Sequence, residues 1–175
     1  MKKIIALSLS VLMTMGLLVS CGGSTPAPSE DPVVEKTPEE LTELFTNAII
    51  DAREADFNDA FPVVTAASEE AEYIFPALGF EAADTSSAAV SMSMMMVHAY
   101  GIAVVRPAEG KEETVLAGLQ GFIDLQQMNF EMYLPDQYDI ACNAKLETLE
   151  DGTILMVMSP DQDQIFDSIK AAVLG

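Results

Sequence analysis

The sequence predicts an α+β fold: an antiparallel sheet of about four strands with helices packed on it, following a lipoprotein signal peptide and a disordered tether. Three observations carry this reading. Glu150-Asp151-Gly152-Thr153 stands between two strand-like runs, and Asp-Gly in that setting signals a hairpin. Ser86 to Val105 is the most apolar stretch after the leader and is rich in Val, Ala, Met and Ile, a content that suits paired strands. Other segments repeat apolar residues at three and four, the helical spacing.

The leader comes first. Met1-Lys2-Lys3 is a short basic start, and Ile4 to Leu18 is an uncharged run of 15 residues. That is shorter than the about 20 residues of a membrane-spanning helix and matches the apolar region of a secretory signal. Leu18-Val19-Ser20-Cys21 follows and resembles the bacterial lipobox. In signals of that kind a diacylglycerol is placed on the Cys thiol and a dedicated peptidase cuts before the Cys. Residues 1–20 are therefore read as signal peptide and Cys21 as the lipid attachment site. Acyl chains of the palmitate type would hold the protein to the outer face of the cell membrane. Two chains suffice, at about 0.8 kcal/mol per buried CH₂. Residues 21–36 are read as the lipidated Cys and a disordered linker, because GGSTPAPSEDPVVEK has almost nothing to bury.

Residues 37–175 are read as one domain. Thr37-Pro38-Glu39-Glu40 reads as a capping box with Pro at the first helical position, and Leu41, Leu44, Phe45, Ala48 and Ile49 mark one helix face to about Glu54. Asp56 to Ala67 is ambiguous; Phe57, Phe61, Val63 and Val64 suggest a short extended piece after Pro62. Glu69 to Leu78 reads as a short helix stopped by Gly79. Strands are placed near 86–94 and 99–106, turning around Met95 to His98, with Pro107 ending the second. Glu109 to Tyr133 reads as a long helix with Val115, Leu116, Leu119, Phe122, Ile123, Gln126 and Phe130 buried. Gly118 and Gly121 would each weaken it by about 1 kcal/mol relative to Ala, or permit close packing. Pro135 closes the segment. The hairpin is read as a two-residue type I′ turn pairing Leu149 with Ile154 and Glu147 with Met156. Its first arm, 144–149, is amphipathic like an edge strand, and its second, Ile154 to Met158, is wholly apolar like a central one. Ser159-Pro160-Asp161-Gln162 repeats the capping logic, and Ile165, Phe166, Ile169, Val173 and Leu174 would face the sheet from the last helix.

Composition narrows the function. The 175 residues carry 8 Lys+Arg against 28 Asp+Glu, a net charge of −20. Loss of Lys2 and Lys3 with the leader leaves Lys36, Arg53, Arg106, Lys111, Lys145 and Lys170 against all the acids. Such a chain lacks the basic face of a nucleic-acid binder. One His and two Cys exclude a four-ligand His/Cys zinc site. With Cys21 lipidated, Cys142 has no partner within the chain; among Ile140, Ala141 and Asn143 it reads as a small packed hydrophobe. Met92, Met94, Met95 and Met96, with His98 nearby and Met128, Met132, Met156 and Met158 elsewhere, suggest soft-metal donors. Alternation along an apolar strand instead makes Met94 and Met96 core filling and His98 a core or rim residue. Asp161, Asp163 and Asp167 lack the Gly and Glu of a calcium loop, since Phe166 holds the sixth position; they read as helix-start charge. Asp51, Glu54, Asp56 and Asp59 read as a solvated face. No catalytic residue, metal site or cofactor is assigned.

Several motifs occur together: Leu78-Gly79-Phe80, Ala99-Tyr100-Gly101-Ile102-Ala103-Val104-Val105, Tyr133-Leu134-Pro135, and a Gly-turned hairpin into Leu155-Met156-Val157-Met158-Ser159. In this order, over roughly Glu39 to Val173, the chain resembles a lipoprotein family of Clostridia-type Firmicutes known only as domain of unknown function 4358. Gly101 stands where the family's strand carries an acid. The resemblance implies a small extracytoplasmic lipoprotein without an assigned activity. The function expected is a non-enzymatic binding or interaction module at the cell envelope, with the membrane (through lipid on Cys21) and an envelope protein as partners. The alternatives are a small-ligand or metal-ion binder, or a small envelope enzyme.

Overall fold

The computed structural model of the chain describes residues 36–175. The signal peptide, Cys21 and nearly all of the linker lie outside the described residues. The fold is α+β, with an antiparallel sheet between two helical layers. In chain order the elements are α1 (Pro38–Asp51), α2 (Ala55–Ala60), β1 (Val64–Thr65), α3 (Ala71–Ala77), β2 (Thr85–Met92), β3 (Gly101–Pro107), α4 (Glu112–Phe130), α5 (Pro135–Cys142), β4 (Lys145–Thr148), β5 (Ile154–Met158) and α6 (Gln162–Leu174). The strand order is β1-β2-β3-β5-β4. The four strands expected are present, and the extended piece after Pro62 supplies a short fifth at the edge.

Both faces of the sheet are covered, which is why β3 and β5 are apolar at nearly every position. On one face Ala88, Val90, Ala103, Val105, Ile154, Met156 and Met158 meet Val115, Leu119, Phe122 and Ile123 of α4 and Ile74 and Phe75 of α3. On the other, Ala89, Ile102, Val104, Leu155 and Val157 meet Phe45, Ala48 and Ile49 of α1 and Ile165, Phe166, Ile169 and Val173 of α6.

The capping box of α1 forms as the sequence predicts: Glu40 N–H donates to Thr37 Oγ1 (3.3 Å) and Thr37 N–H to Glu40 Oε2 (2.8 Å). The end of α3 is a Schellman motif. Gly79 N–H donates to Pro76 O (3.0 Å) and Phe80 N–H to Phe75 O (3.3 Å), with Gly79 at φ +90. The Phe75 and Phe80 rings meet edge to face at 5.6 Å, the apolar contact that accompanies this cap. Gly79 also touches α4: a Cβ on Gly118 would lie 2.5 Å from Gly79 O. Close packing is therefore the role of Gly118, whereas a Cβ on Gly121 would meet nothing within 4 Å.

Several details differ from the sequence reading. The segment after Pro135 is the helix α5, which the polar run Asp136-Gln137-Tyr138-Asp139 had concealed. Residues 55–60, at the start of the stretch the sequence left ambiguous, form α2. Leu116 and Leu174 are exposed, each at the border of an otherwise buried stripe. Helix α6 starts at Gln162 with no side-chain cap bond, so the second capping box does not form.

The hairpin differs by one residue. Thr148 faces Ile154, Leu146 faces Met156 and Glu147 faces Leu155. Leu149 N–H donates to Thr153 O (2.7 Å) and Gly152 N–H to Leu149 O (2.9 Å), closing a three-residue loop in which Gly152 supplies a left-handed step at φ +85. Asp151 fixes this form. Its carboxylate accepts from Thr153 N–H and from the Thr153 hydroxyl, both at 2.9 Å, and pairs with Arg106 of β3. Thr153 is thereby held in the ladder instead of the turn. A one-residue slip exchanges the faces of a strand; the observed register puts Glu147 beside Lys170 of α6 (2.6 Å) and Lys145 beside Asp163 (2.6 Å). Because a Cβ on Gly152 would meet nothing within 4 Å, Gly152→Ala should cost only the backbone strain, about 1 kcal/mol, and Gly152→Asn roughly half as much, since Asn tolerates the left-handed region. Thermal midpoints check this; equal losses would point away from backbone conformation.

Candidate functional site

One end of the sheet carries an aromatic cluster built around a buried cation. Helix α1 begins at the other end, where Ser87 Oγ–H donates to Pro38 O (2.9 Å). It runs along β2 and delivers Arg53, 9% exposed, to the far end. Arg53 donates through Nε to Asn58 Oδ1 (2.6 Å), through Nη1 to Ser91 Oγ (2.8 Å) and Tyr100 OH, and through Nη2 to Phe61 O (2.8 Å). Ser91 Oγ–H also donates to Phe61 O (2.8 Å). The guanidinium thus meets four oxygens, none of them a carboxylate's, in a chain of net charge −20. Burial pushes the Tyr100 hydroxyl above its ordinary pKa, with the Arg53 charge opposing this; Tyr100 stays protonated at neutral pH.

On this base the rings stack. Phe61 lies 4.3 Å from Tyr100 at 18°, Phe57 lies 5.6 Å from Tyr100 at 30°, and His98 meets Phe61 edge on at 6.1 Å. Phe57 and Phe61 are one turn apart at the end of α2, so the short helix turns both rings the same way. Next to them opens a cavity of about 280 Å³ bounded by Phe57, Phe61, His98, Tyr100, Gln137 and Ile140, with Asp56 at its edge. Gln137 Oε1 accepts from Ala99 N–H (2.8 Å) and so ties α5 to the loop before β3. Chemically this is an apolar slot with polar side chains of His98, Asp56 and Gln137 around it. Among the described residues, no group of three His, Cys, Asp or Glu side chains could hold a metal ion.

The sequence-predicted candidates are spread differently. Cys21 lies outside the described residues. His98 is at the cavity rim. Met94, Met95 and Met96 are not core filling: β2 ends at Met92, and all three stand exposed in the loop that follows. Asp56 joins the cavity, while Asp51, Glu54 and Asp59 face solvent. Asp163 pairs with Lys145, whose ammonium that hydrogen bond holds above its ordinary pKa. Arg53, Phe57, Phe61 and Tyr100 had no assigned role in the sequence. The spacing of Phe57 and Phe61 at four was the one available signal.

Cys142 is exposed rather than buried. Helix α5 has eight residues and buries only Ala141, which turns the next side chain outward. Tyr138, one turn earlier, is held above its ordinary pKa first by hydrogen bonding with Cys142. In the folded protein without denaturant, Cys142 should react with a maleimide at a rate comparable with a small free thiol; labelling that requires denaturant would contradict the exposed position.

The architecture defined here is a three-layer α+β domain with an aromatic slot at one end of its sheet. The chain belongs to the family described as "Domain of unknown function (DUF4358)", whose model matches residues 64–159. That span holds all five strands with α3, α4 and α5, and the half of the cavity formed by His98, Tyr100, Gln137 and Ile140. No curated protein and no solved structure matches the chain.

Proposed function

We propose that the protein is a lipid-anchored binding module of the cell envelope, held through Cys21 at the outer face of the membrane, that takes an apolar group of an envelope partner into the aromatic cavity. The position of the cavity carries this reading. The chain enters the domain at Thr37, beside Ser87, and the cavity lies at the opposite end of the sheet. A domain tethered at one end would present its slot away from the tether. Size favours a group of a partner over a free ligand, because about 280 Å³ sits at the lower edge of the roughly 300–1,000 Å³ of small-molecule pockets.

The anchor and the slot are tested separately. Mass spectrometry of the mature N-terminal peptide should find a start at Cys21 carrying the mass of a diacylglycerol, and Cys21→Ser should leave the precursor unlipidated and uncut. An unmodified thiol at Cys21 would reject the anchor. For the slot, a photo-crosslinking side chain at Ala60 in intact cells should give a discrete adduct, and one at Gly110, near the start of α4, should not. Ala60 lines the cavity; Ala60→Trp, which would occupy it, should abolish adducts formed from a probe at Asp56 on the same cavity, while shifting stability by no more than about 0.5 kcal/mol. Equal adducts from Ala60 and Gly110, or none from either, would reject the slot.

A further inference from the structure

Exposure of the methionine loop reopens the chemistry of its sulfurs. Met94, Met95 and Met96 are 59%, 58% and 73% exposed, so filling the core does not account for them. The loop that carries them is pinned. Ser93 is buried; its hydroxyl accepts from Met95 N–H and donates to Met95 O, both at 3.1 Å. Ser93 N–H donates to Tyr100 O (3.1 Å) and His98 N–H to Met95 O (3.3 Å). Beside this loop is a second cleft, of about 220 Å³, which shares Ala60 and Phe61 with the aromatic cavity. Three methionines line it, Met94 and Met95 from the exposed loop and Met92 at the end of β2, where it also packs against the core; the acid Glu70 and the apolar Val64, Tyr73 and Ile74 complete the wall.

We propose that Met92, Met94 and Met95 form a binding site for a soft monovalent metal ion of the Cu(I) type. Thioethers are neutral, polarizable donors that select Cu(I) over hard cations. Three of them on one cleft match the low coordination number of such an ion, and the Glu70 carboxylate at the same cleft balances its single charge. Calcium takes six to eight oxygens, and one carboxylate does not supply them. His98 lines the other cavity and stands outside the ligand set. Ser93 is a positioning residue, since both of its side-chain bonds fix the backbone of Met95. None of the proposed metal-binding residues lines the aromatic slot, although the two clefts share Ala60 and Phe61.

The test uses the full chain in detergent, labelled with ¹³C at the methionine methyls, and Ag(I) as a probe that undergoes no redox change. Of the 11 methionines, the methyl signals of Met92, Met94 and Met95 should shift together and saturate. In competition with bicinchoninate for Cu(I), the double variant Met94→Leu/Met95→Leu should bind at least about 100-fold more weakly. Both positions are exposed, so this variant folds even where Met92→Leu disturbs the core. His98→Ala and Met128→Leu/Met132→Leu should bind as the wild type does. Shifts centred on Met96, Met128 or Met132, affinity unchanged in the double variant, or an equal loss in His98→Ala would each overturn the site.

Discussion

Replacing Gly118 by alanine is expected to destabilise the domain by about 3 kcal/mol, the upper part of the range for overpacking a filled interior. The added methyl would sit 2.5 Å from the Gly79 carbonyl oxygen and 2.7 Å from its carbon. Both are backbone atoms, so no rotamer change relieves the clash. Gly79 has little room to retreat, because its left-handed conformation closes α3 and its Phe80 neighbour packs on Phe75. The same helix carries an internal control. Gly121 faces open space, and Gly121→Ala should stabilise by up to about 1 kcal/mol through helix propensity alone. Urea midpoints of the two variants should therefore move in opposite directions. Movement in the same direction would remove the close contact between α3 and α4 from the account of this fold.

The second large effect is expected at Arg53. Arg53→Met keeps much of the side-chain volume but strips a donor from Asn58 Oδ1 and from the Tyr100 hydroxyl, and leaves Phe61 O with Ser91 only. Buried polar groups left unpaired cost about 1–3 kcal/mol each; partial exposure of Asn58 reduces its share, and a total of about 3 kcal/mol follows. Arg53→Lys separates charge from geometry. Lysine keeps the positive charge, but one ammonium cannot span acceptors placed around a planar fork. It should lose nearly as much as the methionine variant. Full stability in Arg53→Lys would mean that charge alone holds the cluster. Both variants should also loosen the rings of Phe57 and Phe61, read as sharper thermal broadening of their NMR signals than of Phe75.

What the sequence disclosed followed from how local the determining forces are. The capping box at Thr37, the Gly79 stop and the Asp-Gly hairpin are contacts within a few residues, and each is legible in the order of side chains. The apolar run Ile154 to Met158 announced a strand covered on both sides. The hairpin register was one step off because it depends on Arg106, which reaches Asp151 and Thr153 from β3. Helix α5 escaped because it buries only Ala141 and so shows no apolar periodicity. The methionines misled for a related reason: their alternation is strand-like, but β2 stops at Met92 where the chain turns through Ser93. The arginine-centred cluster was the least legible. Ser91 lies 38 residues and Tyr100 47 residues from Arg53, and neither segment alone carries a mark of the meeting.

The two borders of the sheet have a consequence for crowding. A lipid anchor would gather copies of this chain in the plane of one membrane, where open strand edges invite chains to zip together. Strand β1 offers two residues, and the Thr65 N–H is already donated to Ser68 Oγ (3.0 Å). Strand β4 offers four, and its Lys145 and Glu147 side chains are held by Asp163 and Lys170 of α6. Among the described residues only Asp84, Glu147, Asp151 and Asp163 are in ion pairs, and a net charge of −20 would add repulsion between neighbouring copies. Short borders with tethered side chains disfavour lateral strand pairing, so copies gathered by such an anchor would tend to stay apart.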